Sequence, residues 1–152
     1  MYTLRRELFI PISIEQAWKF FSSPMNLNAL TPAALQFKIL SDCPTEMYEG
    51  MLIRYQLRPM VNIPIEWVTE ITHVRDQRYF VDEQIKGPYA YWHHEHHFKV
   101  VEHGVWMTDI LYYDVGKSIF GWLAGKLFVH RKVREIFDYR EIAIRSLFPS
   151  DS

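Results

Sequence analysis

The sequence predicts an α+β fold, in which a curved antiparallel sheet of seven strands wraps a long C-terminal helix and two short helices follow the first strand. Three observations predict it. Residues 35 to 115 pass through six runs rich in β-branched and aromatic residues. The breaks between those runs are too short for the long crossovers that parallel strands need. Beyond them, residues 119 to 148 change to three-and-four spacing, and a helix with one apolar face must bury it against the sheet.

In chain order, residues 2 to 10, YTLRRELFI, read as the first strand. Ser13 and Gln16 then form a capping box, the hydroxyl serving an orphan amide while the glutamine side chain answers three residues later. Ile14, Ala17, Trp18 and Phe21 share one face of the helix that starts there, and Ser22-Ser23-Pro24 stops it, because the residue before proline is pushed out of the helical region. A second short helix is expected over Met25 to Leu30, before Thr31-Pro32.

The six further strands are expected at 35–41, 51–58, 65–74, 78–86, 91–101 and 105–115. Breaks fall at Pro44, Gly50, Pro59 to Pro64, Asp76-Gln77, Gly87-Pro88 and His103-Gly104. In the final helix Phe120, Leu123, Leu127, His130, Val133, Phe137, Arg140, Ile144 and Leu147 make the apolar stripe. Gly121 and Gly125 weaken its first turns, so a bend or loop is expected near them.

With 152 residues the chain has the length of one domain, 1–152, able to bury roughly two-thirds of its unfolded surface. Five Trp, nine Tyr and ten Phe provide large apolar area, suited to a big core or a lined cavity. A net charge of -1, from 17 basic and 18 acidic side chains, supplies no field to hold nucleic acid. His130-Arg131-Lys132-Val133-Arg134-Glu135 is interrupted by acids soon after and reads as a solvated helix face.

The single Cys43 excludes an internal disulfide, the N-terminus alternates rather than forming a signal peptide's apolar run, and a cytoplasmic protein is expected. No stretch approaches the roughly 20 apolar residues of a membrane span. Neither a glycine-rich dinucleotide loop nor a phosphate-binding loop occurs. The pattern points to no particular oligomeric state.

Several motifs carry a resemblance over nearly the whole chain. They are Thr31-Pro32, Gly50, Phe80-x-Asp82-x-Gln84-x-x-Gly87-Pro88, Trp92-x-His94-x-His96-x-Phe98 and Ile136-Phe137-Asp138-Tyr139-Arg140. With the element order, the chain resembles a bacterial ligand-binding subgroup of the START-like (SRPBCC) superfamily, which includes polyketide cyclase/dehydrase-like proteins, lipid-transfer domains and plant pollen allergens. The resemblance implies a helix-grip fold and a ligand cavity between sheet and helix.

Strand alternation sorts the histidines of YAYWHHEHHF, residues 89 to 98. Trp92, His94, His96 and Phe98 form the more apolar set and are expected inward, leaving His93, Glu95 and His97 on the solvent face. For 78–86, hydrophobicity favours Tyr79, Val81, Glu83 and Ile85 inside, whereas the family-like pattern favours Phe80, Asp82 and Gln84. In 105–115, Met107, Asp109, Leu111 and Tyr113 compete with Trp106, Thr108, Ile110 and Tyr112. Both registers stay open.

If Asp82 and Asp109 point inward, two carboxylates meet two imidazoles on the concave face. A His-x-His pair with a carboxylate suits zinc or iron chemically, but the HExxH spacing is absent. The inward pair is therefore expected to meet a carboxylate first, a ligand second and a metal third, with no cofactor. Cys43 has no evident base, so a catalytic thiol is not expected. Buried polar groups need partners, so the expected cavity is partly polar. Phe37, Tyr55, Trp67, Trp92, Phe98, Leu111, Tyr113, Phe137 and Ile144 are candidates for its apolar walls, and Arg140 either snorkels to solvent or pairs with an acid.

The expected function is binding of a small hydrophobic or amphipathic molecule, whose polar end meets His94, His96, Asp82, Gln84 and Asp109. Two alternatives stand beside it. One is a cyclase/dehydrase-type enzyme using His94 or His96 as acid/base, and the other a non-catalytic interaction module.

Overall fold

A computed structural model describes residues 1–60, 63–117 and 125–150 of the chain. Strand β1 (Tyr2–Ile10) leads into α1 (Ile14–Phe21), where Gln16 N donates to Ser13 Oγ and Ser13 N donates to Gln16 Oε1, both at 3.1 Å. The capping box thus forms as its spacing predicts. Pro24–Leu30 and Ala33–Leu35 follow as 3₁₀ turns. They precede β2 (Lys38–Ile39), β3 (Leu52–Met60), β4 (Ile63–Arg75), β5 (Tyr79–Lys86), β6 (Tyr91–Val101), β7 (Gly104–Asp114) and α2 (Lys126–Leu147).

The seven strands form one antiparallel sheet in the order β1-β7-β6-β5-β4-β3-β2. Three boundaries differ from the sequence expectation. The strand expected over 35–41 shrinks to two residues, because Ala33–Leu35 coils and Gln36 takes a left-handed φ of 50°. The break expected between Pro59 and Pro64 is largely strand. Pro59 falls within a register shift on β3, and β5 reaches β4 only from Val68 onward, so no ladder bond is lost at Pro64.

The third difference lies on α2, which begins after Gly125 at φ 74°. Leu127, expected in the apolar stripe, is 87% exposed, whereas Val129 is buried. At about 100° per residue Leu127 lies about 120° from Val133, the middle of the buried face. Leu147 is also exposed. The C-terminal end is closed instead by Phe148, whose ring packs on Phe20 and Phe21 with centroids 5.1 and 6.4 Å away. Phe120, Gly121 and Leu123 lie outside the described residues.

Two apolar clusters hold α1 and α2 to the sheet. Trp18, Phe21, Phe80, Phe98, Met107 and Ile144 belong to the first, and Leu111, Tyr113, Val129, Val133 and Phe137 to the second. Arg140 comes between Phe137 and Ile144 on α2, one from each cluster. Its charged end therefore enters the interior. Among the described residues no helix is long and apolar enough to cross a membrane.

Candidate functional site

Alternation along three neighbouring strands decides which polar side chains meet. Trp92, His94, His96 and Phe98 of β6 lie on the face that the helices cover, as do Met107, Asp109, Leu111 and Tyr113 of β7, all buried except the half-buried Trp92. On β5 the open choice falls to Phe80 and Asp82, while Ile85 of the competing set is 59% exposed. Hydrophobicity alone would have chosen wrongly there.

In the ladder His94 stands opposite Asp82 and Leu111, and His96 opposite Phe80 and Asp109. The short bonds run diagonally. His96 Nε2 donates to Asp82 Oδ2 at 2.6 Å and His94 Nε2 to Asp109 Oδ1 at 2.9 Å. The remaining ring nitrogens also face carboxylates, His96 Nδ1 at 3.2 Å from Asp109 Oδ1 and His94 Nδ1 at 3.6 Å from Asp82 Oδ2. Arg140 pairs with an acid rather than reaching solvent, donating from Nε to Asp109 Oδ2 at 3.1 Å and from Nη2 to Oδ1 at 3.4 Å.

Ring packing fixes the imidazoles. Their centroids are 3.7 Å apart, Phe80 stacks on His96 at 4.1 Å, and Phe137 meets His94 edge-on at 5.3 Å. Burial opposes ionisation of Asp109, yet the Arg140 charge and the bonds from His94 and His96 hold its carboxyl well below the usual range. Asp82 is also buried, but the bond from His96 and the cationic neighbours keep it low. For His94 burial and the neighbouring His96 win and lower its pKa. At His96 burial is outweighed by Asp109 and Asp82, which raise it. The same carboxylates and the same burial thus shift the two adjacent imidazoles in opposite directions.

On the opposite sheet face His93 Nδ1 donates to Glu83 Oε1 at 2.5 Å, and Glu95 accepts from His93 at 3.1 Å and His97 at 2.8 Å. The four adjacent histidines of the sequence are therefore two separate pairs on two faces.

Beside the inward pair lies a cavity of about 160 Å³. Asp82, His94, His96 and Arg140 border one side of it, and Tyr55, Trp67, Trp92, Phe137 and Phe37 supply aromatic wall. Four candidates lie elsewhere. Asp109 stands behind the histidines, and Phe98 packs on Trp18 and Phe21 with centroids 5.8 and 5.5 Å away. Tyr113 donates to His130 Nδ1 at 2.6 Å. Gln84 clamps the β5–β6 turn, its amide donating to Tyr89 O at 2.8 Å and accepting from Tyr89 N at 3.2 Å. Leu111 and Ile144, also expected as wall, are core.

Sequence reasoning missed Leu27, Leu30, Leu35, Thr69 and Ile136, which also line the cavity. The first three belong to 3₁₀ turns, whose short irregular spacing gives no periodic signal. Tyr55 Oη and Thr69 Oγ1 share a hydrogen bond of 3.2 Å, and burial pushes the Tyr55 phenol up. The indole Nε1 of Trp67 is buried with no hydrogen-bond partner among the described residues. Asp82, His94 and His96 each offer one ligand atom within 4.8 Å of the others.

No family model and no curated protein matches the sequence. Solved structures do match the fold. Protein CV1439 from Chromobacterium violaceum superposes with TM-score 0.75 at 10% identity, covering 99% of this chain and 100% of that one. Protein Ms6760 from Mycobacterium smegmatis gives 0.71 at 14% identity, covering 99% and 92%. Ara h 8.0201 gives 0.63 at 12% identity, covering 95% and 98%. With the sheet order and long C-terminal helix, these similarities establish the helix-grip fold that the resemblance implied.

Proposed function

We propose that this protein binds a small, mainly apolar molecule with one polar end in the cavity between the sheet and α2. One observation carries the reading. The cavity is aromatic and aliphatic on most sides, yet bordered on one side by Asp82, His94, His96 and Arg140. Pockets of that kind bury the apolar body of a ligand and orient it through a few polar groups. Tyr55, Trp67, Trp92 and Phe137 act as its walls. Asp109 holds the histidines from behind, while Gln84, Phe98 and Tyr113 support the frame.

Size narrows the ligand class. A protein cavity of about 150 Å³ accepts benzene, so about 160 Å³ fits a single ring or a short branched chain. The test is mass spectrometry of gently purified protein, followed by titration of single-ring phenols and carboxylic acids against Trp67 and Trp92 fluorescence. Saturable quenching that is lost when Leu30→Phe fills the space supports the reading. A protein that carries no small molecule and responds to none of the series overturns it.

A second reading has its own observation. His96 lies between two carboxylates at the cavity wall with the His94 ring packed against it, and imidazoles beside carboxylates are the residue types that acid/base catalysis uses. Under it, a cyclase or dehydrase reaction loses turnover in His96→Gln while ligand affinity is nearly unchanged. Equal turnover in that variant would sink it.

A further inference from the structure

Each histidine in the buried cluster meets one aspartate with one ring nitrogen and the other aspartate with the second. Asp109 Oδ1 receives His94 Nε2 at 2.9 Å and His96 Nδ1 at 3.2 Å, and Arg140 holds Asp109 in place. In the tautomers that would bind a metal, the protons sit on the two nitrogens facing Asp109, and His94 Nδ1 and His96 Nε2, which hydrogen-bonds Asp82 in the ion-free cluster, turn lone pairs toward Asp82 Oδ2. Three acceptors then converge on one point.

We propose that Asp82, His94 and His96 form a binding site for one divalent transition-metal ion of the zinc or iron(II) type, with Asp109 and Arg140 positioning the two histidines. Metal-bound histidines nearly always donate their other ring nitrogen to a carboxylate or carbonyl, which fixes the tautomer and raises ligand basicity. Here one carboxylate serves both rings. The two-nitrogen, one-oxygen donor set suits zinc and iron rather than calcium or magnesium, which prefer all-oxygen surroundings.

Distances are compatible. Metal–ligand bonds of about 2.0–2.2 Å place donor atoms roughly 3.0–3.6 Å apart around one ion. Asp82 Oδ2 and His94 Nδ1 are already at 3.6 Å, and the three ligand atoms lie within 4.8 Å of one another. Asp82 Oδ2 and His96 Nε2, at 2.6 Å, must separate by a few tenths of an ångström. The ion competes for the place of the proton between them. All three ligands border the cavity.

The test uses the untagged full chain, stripped with a chelator and then titrated with Co²⁺ and with Zn²⁺ by calorimetry and absorption. The expected result is one ion per chain, a visible cobalt band of a nitrogen/oxygen site, and displacement of cobalt by zinc. Asp82→Asn and His94→Gln, checked for folding by circular dichroism, should each weaken binding at least about 100-fold, and Asp109→Asn about 10–100-fold. His93→Gln/His97→Gln on the opposite face should leave binding unchanged. Failure of the folded wild-type chain to take up either ion overturns the proposal, as does binding that survives Asp82→Asn and His94→Gln or disappears in the His93/His97 pair. None of these readouts uses the organic ligand, so the metal site and the ligand reading fail separately.

Discussion

Asp82 stands directly across the ladder from His94, yet its shorter bond, 2.6 Å, runs to His96, two residues along β6. Asp109 repeats the pattern from the other side, opposite His96 but closest to His94. The two aspartates cross-brace the two imidazoles, and Arg140 ties the brace to α2. Breaking one member leaves opposite charges buried without partners.

Asp109→Ala should therefore cost about 3–5 kcal/mol, because the buried Arg140 loses the only carboxylate it bonds among the described residues. Urea denaturation gives the figure directly. A loss below about 1 kcal/mol would mean that Arg140 reaches water and that the brace carries little of the fold.

Gly87 owes its identity to Gln84. A Cβ at position 87 would come within 2.4 Å of the Gln84 Oε1 that accepts from Tyr89 N. Gly87→Ala should thus displace the glutamine and cost about 1–3 kcal/mol through its two lost bonds. In Gly87→Ala/Gln84→Ala the clash is gone, so the double variant should be destabilised by less than the sum of the singles. Strict additivity in the cycle would refute the coupling.

Leu30→Phe places extra carbon in the cavity. Stability in the absence of ligand should change by less than about 1.5 kcal/mol, since the added volume fills space instead of displacing packed atoms. Saturable ligand binding should disappear. A large stability loss with binding retained would locate the binding space elsewhere.

His130 supplies the pH dependence. Burial and the nearby Arg134 and Lys126 charges lower its pKa, and Tyr113 donates to its Nδ1, a bond that the second ring proton would break by taking that lone pair. The folded state thus prefers the neutral form. Its contribution is present above the unfolded value, about 6.5, and is lost as pH falls through the lower folded one. An NMR titration should place the His130 midpoint below about 6.5. A midpoint above about 6.5 would contradict the assignment.

Much of the frame was legible because it rests on local chemistry. The Ser13–Gln16 capping box, the short hairpin breaks and the alternation of β6 each depend on near neighbours in the chain. The site was legible as residue types and only partly as geometry. Asp82, His94, His96 and Arg140 meet at the cavity, but the face of β5 followed a motif against its own hydrophobicity. Phe98 and Tyr113 share the inward face yet serve the core, because α1 covers one and α2 the other. Alternation specifies a face, whereas the helix above decides whether that face is cavity or core.

The place of β1 in the sheet also bears on how the chain is made. Among the described residues the first strand pairs only with β7, Tyr2 opposite Tyr113. Every other neighbouring pair in β3 to β7 is a local hairpin that can close as soon as it is synthesised. A nascent chain therefore holds its N-terminal strand unpaired until nearly all of the sheet has left the ribosome, and the cost of that long closure falls late in folding. The exposed Arg5 and Glu7 pair on β1 keeps the waiting segment charged, a guard against edge-to-edge association while translation finishes.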